Sequence, residues 1–152
     1  MKRQQAGFTL IEIMLVVGII AIISAIATPM FLSYYQGAQV RVAAEEVTTF
    51  LNQGRQLAIA QNRSICVHIT TTAMHYHQGT CGAGATWIGA GTDALGNVAV
   101  PAGITLSPTT LEVTFNYLGG STAGATYTIT HTNSTKSVHV VVALSGRVNI
   151  TP

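Results

Sequence analysis

Glu12 is the residue with the most chemical consequence. It stands inside an apolar run that begins at Phe8 and reaches Ala27, with no polar side chain from Ile13 to Ile23. Read as a helix, Phe8 to Ala27 spans roughly 30 Å, the thickness of a bilayer's hydrocarbon core. An ionised glutamate there costs about 2.5–3.5 kcal/mol on insertion scales, so it calls for a partner. No basic side chain occurs between Arg3 and Arg41. A cut after Gly7 would place a new amine on Phe8, close to the depth of Glu12. The amine of a neighbouring copy could then neutralise the carboxylate.

Other residues with chemical potential lie beyond the run. Five histidines occur, at positions 68, 75, 77, 131 and 139. His75 and His77 share a face of one expected strand. A turn centred on Thr72 pairs His68 with Tyr76 and points His68 to the opposite face. With no carboxylate expected nearby, the histidines read as surface or half-buried sheet residues, and no metal or other cofactor is expected. Asp93, the sole aspartate, sits in the turn-rich segment Gly91-Thr92-Asp93-Ala94-Leu95-Gly96-Asn97 and reads as a turn residue. Glu112 alternates with Leu111 and Val113 as a solvent-facing strand residue. No G-x-S-x-G or similar signal accompanies these groups, and the reading is of a protein without enzymatic activity.

The elements that position these residues follow from periodicity. A chain of 152 residues holds one domain by default. Pro29 and Gly37 interrupt the helical propensity. The pattern resumes at Val40, Ala44, Val47, Phe50 or Leu51, Gly54, and Leu57 or Ala58. These steps of three and four mark one apolar face. Asn62 is the expected helix stop. Composition then shifts to Thr, Val, Ile, Gly and Ser. Strands are expected at Ser64–Thr70, Met74–Gln78, Thr86–Ile88, Ile104–Leu106, Leu111–Tyr117, Thr126–Thr132, Ser137–Leu144 and Val148–Ile150, paired antiparallel. The apolar stretch Val138–Val142 suggests burial on both faces, and Gly82–Gly103 reads as a long surface loop with short strand pieces. The fold class is α+β: a long N-terminal helix packed on an antiparallel β-sheet domain.

Only 8% of residues are charged, low for a freely soluble monomer and suited to a subunit buried among copies. Without Lys2 and Arg3, five cations (Arg41, Arg55, Arg63, Lys136, Arg147) face five anions (Glu12, Glu45, Glu46, Asp93, Glu112). This balance gives no general electrostatic case for nucleic acid or acidic substrates.

Gly7-Phe8-Thr9-Leu10-Ile11-Glu12, the apolar run and Pro29 resemble the class III signal and N-terminal helix of type IV pilins and type II secretion pseudopilins. Arg55-x-x-Ala58-x-x-x-Asn62-x-x-Ile65, leading into a β-rich domain that ends in Gly146-Arg147-Val148, resembles the GspH/FimT-type minor pilins and pseudopilins. The resemblance implies a prepilin leader over 1–7, cut between Gly7 and Phe8 by a prepilin peptidase that methylates Phe8. It implies a membrane and filament-core helix over 8–28, an amphipathic half over 29–62, and a periplasmic globular domain over 63–152. Glu12 and Pro29 become assembly residues. Other pilin subunits and the inner-membrane assembly platform become partners. An ordinary secretory signal cleaved at Ala25-Ile26-Ala27, leaving an exported β-domain, is the competing reading.

A periplasmic domain permits disulfides. Cys66 and Cys81, the only cysteines, would lie near the open end of the first hairpin, as a bridge or as two free buried thiols. Major pilins usually close a C-terminal loop with a disulfide, and these early cysteines depart from that. The FimT branch includes members implicated in DNA uptake through a C-terminal Gly-Arg-x-Arg segment. Here Gly146-Arg147-Val148-Asn149 keeps the first arginine and has Asn149 at the second. With Lys136 as the remaining nearby cation, weak DNA contact is the alternative function.

Overall fold

The computed structural model describes residues 7–151. Most of the expected leader, including Lys2 and Arg3, lies outside the described residues.

Helix α1 runs Leu10–Ala60 without a break, through both Pro29 and Gly37. The chain divides into two units, one ending at Tyr35 and one beginning at Gln36. In the first, every described residue is exposed. Its most apolar 18-residue window has a mean hydropathy of 2.8, long and apolar enough to cross a membrane. Pro29 supplies no N–H to the turn before it. Next to it, the Thr28 hydroxyl donates to the Ser24 carbonyl at 2.7 Å.

In the second unit the expected apolar face is buried: Val40, Ala44, Val47, Phe50, Leu51, Gly54 and Ala58, together with Ala43. The helix closes in a Schellman motif. Arg63 N–H donates to Ala58 and Asn62 N–H to Ile59, and Asn62 takes the left-handed conformation at φ 49°.

Among the described residues eight strands follow: β1 (Ile65–Ile69), β2 (Ala73–Gln78), β3 (Asn97–Ala99), β4 (Ile104–Pro108), β5 (Glu112–Phe115), β6 (Ala125–His131), β7 (Ser137–Val142) and β8 (Val148–Thr151). They form two four-stranded antiparallel sheets, ordered β3-β2-β1-β5 and β4-β6-β7-β8. One core joins the helix to both, through Val67, Ile69 and Tyr76 from the first sheet and Leu106, Tyr127, Ile129 and Val140 from the second. Gly54 lets helix and first sheet approach closely, since a Cβ there would come within 2.6 Å of Val67 Cγ2. Phe50 stacks on Tyr76 with ring centroids 4.1 Å apart. The Tyr76 hydroxyl donates to the Phe50 carbonyl at 2.8 Å, which satisfies a phenol that would otherwise be buried unpaired.

Three expectations are corrected. Thr86–Ile88 forms only a bridge from Thr86 to His77, and the edge of β2 is taken instead by Asn97–Ala99. Gly84 and Gly89 flank that stretch and cut its pairing short. Val138–Val142 is fully buried on one face only, at Val140 and Val142; Val141 stands between Thr126 and Asn149 and stays partly open. The β1–β2 register is offset by one residue from a turn centred on Thr72. His68 therefore pairs with His75, not Tyr76, and Val67 pairs with Tyr76. Directly opposed residues share a face, so the slip moves His68 to the side of His75 and His77.

Candidate functional site

The first candidate site is the head of α1. Phe8 is exposed, and among the described residues nothing lies within 4 Å of a Cβ added at Gly7. Thr9 and Glu12 form a reciprocal capping box. Glu12 Oε2 accepts from Thr9 N–H at 2.9 Å and from the Thr9 hydroxyl at 2.8 Å, while Glu12 N–H approaches Thr9 Oγ1 at 3.4 Å. The carboxylate thus caps its own helix N-terminus, where the macrodipole favours negative charge. Sequence reading centred on charge missed this role, although Thr9-x-x-Glu12 is a capping-box pattern. Among the described residues Glu12 has no ion pair.

Cys66 and Cys81 are joined in a disulfide with Cα atoms 5.3 Å apart, inside the usual range. Cys66 is in β1. Cys81 lies past the end of β2, in the turn that follows, and not on the strand itself. That turn folds back so that the Gly84 carbonyl stands 3.2 Å from His77 Nδ1.

The register brings His68, His75 and His77 together, with one ligand atom from each inside a 4.8 Å span. Paired with His68 on the neighbouring strand β5 is Glu112, its Oε1 3.6 Å from His68 Nδ1. A carboxylate does adjoin the histidines, contrary to expectation. The pairing is long-range and leaves no local signal in the sequence. Burial, and then the charges of His68 and His77, hold His75 below the usual histidine range.

The two cations considered for DNA are not brought together. Lys136 precedes β7 and lies across the helix at Gly37, where its Nζ would stand 3.1 Å from an added Cβ. Arg147 sits at the far end of that strand, roughly 20 Å away by strand rise. Arg147 Nε donates to Asn149 Oδ1 at 3.0 Å, so the residue in place of a second arginine restrains the first.

A helix that is bare and apolar in its first unit and seated on paired antiparallel sheets in its second defines a pilin-like structural subunit. Residues 2–28 match the prokaryotic N-terminal methylation motif, and residues 43–146 match the family described as type II transport protein GspH. The chain belongs to the GspH family. A fimbrial protein of Pseudomonas aeruginosa is 39% identical over 77 residues, covering 51% of this chain and 49% of that protein. The type IV major fimbrial protein FimA of Dichelobacter nodosus is 47% identical over 62 residues, covering 41% and 35%. The chain thus spans half the length or less of these curated relatives. Among solved structures, the Pseudomonas aeruginosa type IV minor pilin FimU aligns with a TM-score of 0.58 at 19% identity, covering 76% of this chain and 90% of that one. The Vibrio cholerae minor pseudopilin EpsH aligns at 0.58 and 15%, covering 74% and 96%. Escherichia coli GspH aligns at 0.58 and 12%, covering 76% and 89%. At these identities the likeness is one of fold.

Proposed function

We propose that this chain is a minor pilin or pseudopilin, processed at its N-terminus and assembled through α1 into a type IV pilus or a type II secretion pseudopilus. A prepilin peptidase removes residues 1–7, cutting between Gly7 and Phe8, and methylates Phe8. Residues 8–28 hold the subunit in the bacterial inner membrane and then enter the filament core. Residues 29–62 carry the amphipathic half, and 63–152 form the periplasmic domain. Its partners are other pilin-like subunits and the inner-membrane assembly platform. The observation that carries the reading is the methylation motif at the head of a helix whose apolar first part is wholly exposed. Such a surface is stable in lipid or against copies of itself, not in water.

The mechanism is axial stagger. Glu12 pairs with the α-amine of Phe8 on an adjacent subunit, which relieves a buried charge only when the two helices are correctly offset. Intact-mass analysis of protein recovered from its own cells tests the reading. A mature chain beginning at methylated Phe8 is expected, and a chain beginning at Thr28 would overturn it. The filament type follows from whether sheared pili or the secretion complex contains the subunit.

A further inference from the structure

The first sheet has one face on α1 and one face turned away from it. Cys66, His68, His75 and His77 alternate with the core residues Val67, Ile69, Met74 and Tyr76, so they belong to the outer face. β5 adds Glu112 opposite His68. On this face the His68 and His75 rings stack with centroids 4.7 Å apart, and His77 meets His75 edge-on at 4.7 Å.

Three features go beyond a chance cluster of surface histidines. His77 Nδ1 faces the Gly84 carbonyl at 3.2 Å; donating there, the ring keeps its other nitrogen as a free lone pair. The Glu112 carboxylate stands 3.6 Å from His68 Nδ1, within reach of the outer-shell place that carboxylates take behind ligating imidazoles. His75 Nδ1 is buried and, among the described residues, has no hydrogen-bond partner. A buried imidazole nitrogen without a partner is a cost that needs an explanation. The Gly84 carbonyl is itself held in place by the turn that the Cys66–Cys81 bridge closes.

We infer that His68, His75 and His77 form a binding site for a divalent late transition-metal ion of the Zn²⁺ class, with the Glu112 carboxylate adjoining. Three imidazoles are an established zinc donor set, and imidazole selects zinc, copper and nickel over magnesium or calcium. Zn–N bonds of about 2.0–2.1 Å put tetrahedral ligand nitrogens roughly 3.4 Å apart. Nitrogens already within 4.8 Å would close to that spacing as the stacked rings turn toward a common ion. The ion would tie β1 to β2 on the face that α1 does not cover. As a ligand of the folded state alone, it would raise the unfolding temperature by mass action.

The test uses the full chain in detergent, purified through a tag without histidine. Co²⁺ is titrated by visible absorption, and Zn²⁺ is then added in competition. The expected result is one Co²⁺ per chain, with the strong ligand-field bands of four-coordinate cobalt, displaced by Zn²⁺. His75→Ala should lose about tenfold or more in affinity, as should His68→Ala and His77→Ala. His131→Ala and His139→Ala, on the second sheet, should bind as the wild type does. A measurement on the unmutated chain guards against variants that misfold: Zn²⁺ should shift the ring-proton resonances of His68, His75 and His77 and no others. Absence of the cobalt bands at millimolar metal would overturn the site. So would resonance shifts confined to His131 or His139.

Discussion

Gly146 stands so close to Gly119 that a Cβ on Gly146 would overlap the Gly119 carbonyl oxygen. The same oxygen accepts from Arg55 Nε at 2.9 Å. Both glycines have positive φ, 77° at Gly146 and 82° at Gly119. Two tight turns, one before β6 and one before β8, are thus locked together and tied to the end of α1. The Gly146-Arg147 pair, which drew attention for its charge, has a glycine with a packing role of its own.

Gly146→Ala should therefore destabilise the folded domain by about 2–4 kcal/mol, from left-handed backbone strain plus the backbone overlap. Arg147→Ala, one residue on and exposed, should stay within about 0.5 kcal/mol of wild type. Urea unfolding of both variants measures the contrast. Equal midpoints would show that the turns do not meet as described.

The disulfide joins residues 15 apart in sequence. By the chain-entropy account such a loop contributes about 3 kcal/mol. Alkylation under denaturing, non-reducing conditions should find no free thiol, and the Cys66→Ser/Cys81→Ser double variant should unfold at correspondingly lower urea. Two alkylated thiols in the native protein would remove the bridge.

The helix was legible because its information is local. The steps from Val40 to Ala58 repeat every three or four residues, and the head of the run is a contiguous motif. The division of the strands into two sheets was not legible, since alternation shows which residues face inward and not which strands pair. The β1–β2 register failed for a narrower reason. The segment Thr70-Thr71-Thr72-Ala73 has no Gly, Asn or Asp to mark the turn. The Thr70 hydroxyl closes it, accepting from Ala73 N–H at 3.0 Å. Shifting that turn changed the face of His68, and with it the reading of the whole histidine cluster.

Asp93 gives the domain part of its acid sensitivity. Its carboxylate is held below the usual range, chiefly by the backbone N–H of Asn97 at 2.7 Å and also by that of Leu95 at 2.8 Å. The folded-state pKa is depressed, so the contribution is present above the unfolded value and is lost as pH falls through the folded one. Asp93→Asn should flatten the stability profile in that window, below about pH 4, and leave the neutral region with a constant offset. Fluorescence of Trp87, the single tryptophan, reports unfolding across the series. An unchanged acid slope would mean that the loop opens before Asp93 titrates.

DNA binding by this subunit should be weak. Affinity for phosphates grows with the number neutralised. Lys136 and Arg147 lie at opposite ends of β7, and Arg147 is engaged with Asn149. Anisotropy titration at low and moderate salt should give a shallow salt slope and little binding at the higher salt. Asn149→Arg should steepen the slope by about one. Tight wild-type binding at moderate salt that Arg147→Ala abolishes would make DNA capture the leading function instead.

One substitution cannot separate the cap that Glu12 supplies from the pairing proposed for it. It caps its own helix through Thr9, and in the proposed filament its charge meets the amine of Phe8. Glu12→Gln keeps an oxygen acceptor for the Thr9 N–H and loses the charge. Glu12→Ala loses both. Both variants should be cut after Gly7 and inserted normally, since neither carries a charge into the membrane. If pairing sets the stagger, both should be strongly depleted from sheared filaments or the secretion complex. Removing one partner of a buried pair typically costs about 3–5 kcal/mol. Loss of the cap alone costs only about 0.3–1.5 kcal/mol, so Glu12→Ala should be little worse than Glu12→Gln. Quantitative immunoblots of sheared fractions against membrane pools decide between the roles. Normal incorporation of Glu12→Gln with depletion of Glu12→Ala would leave Glu12 as a helix cap. Normal incorporation of both would remove it from assembly.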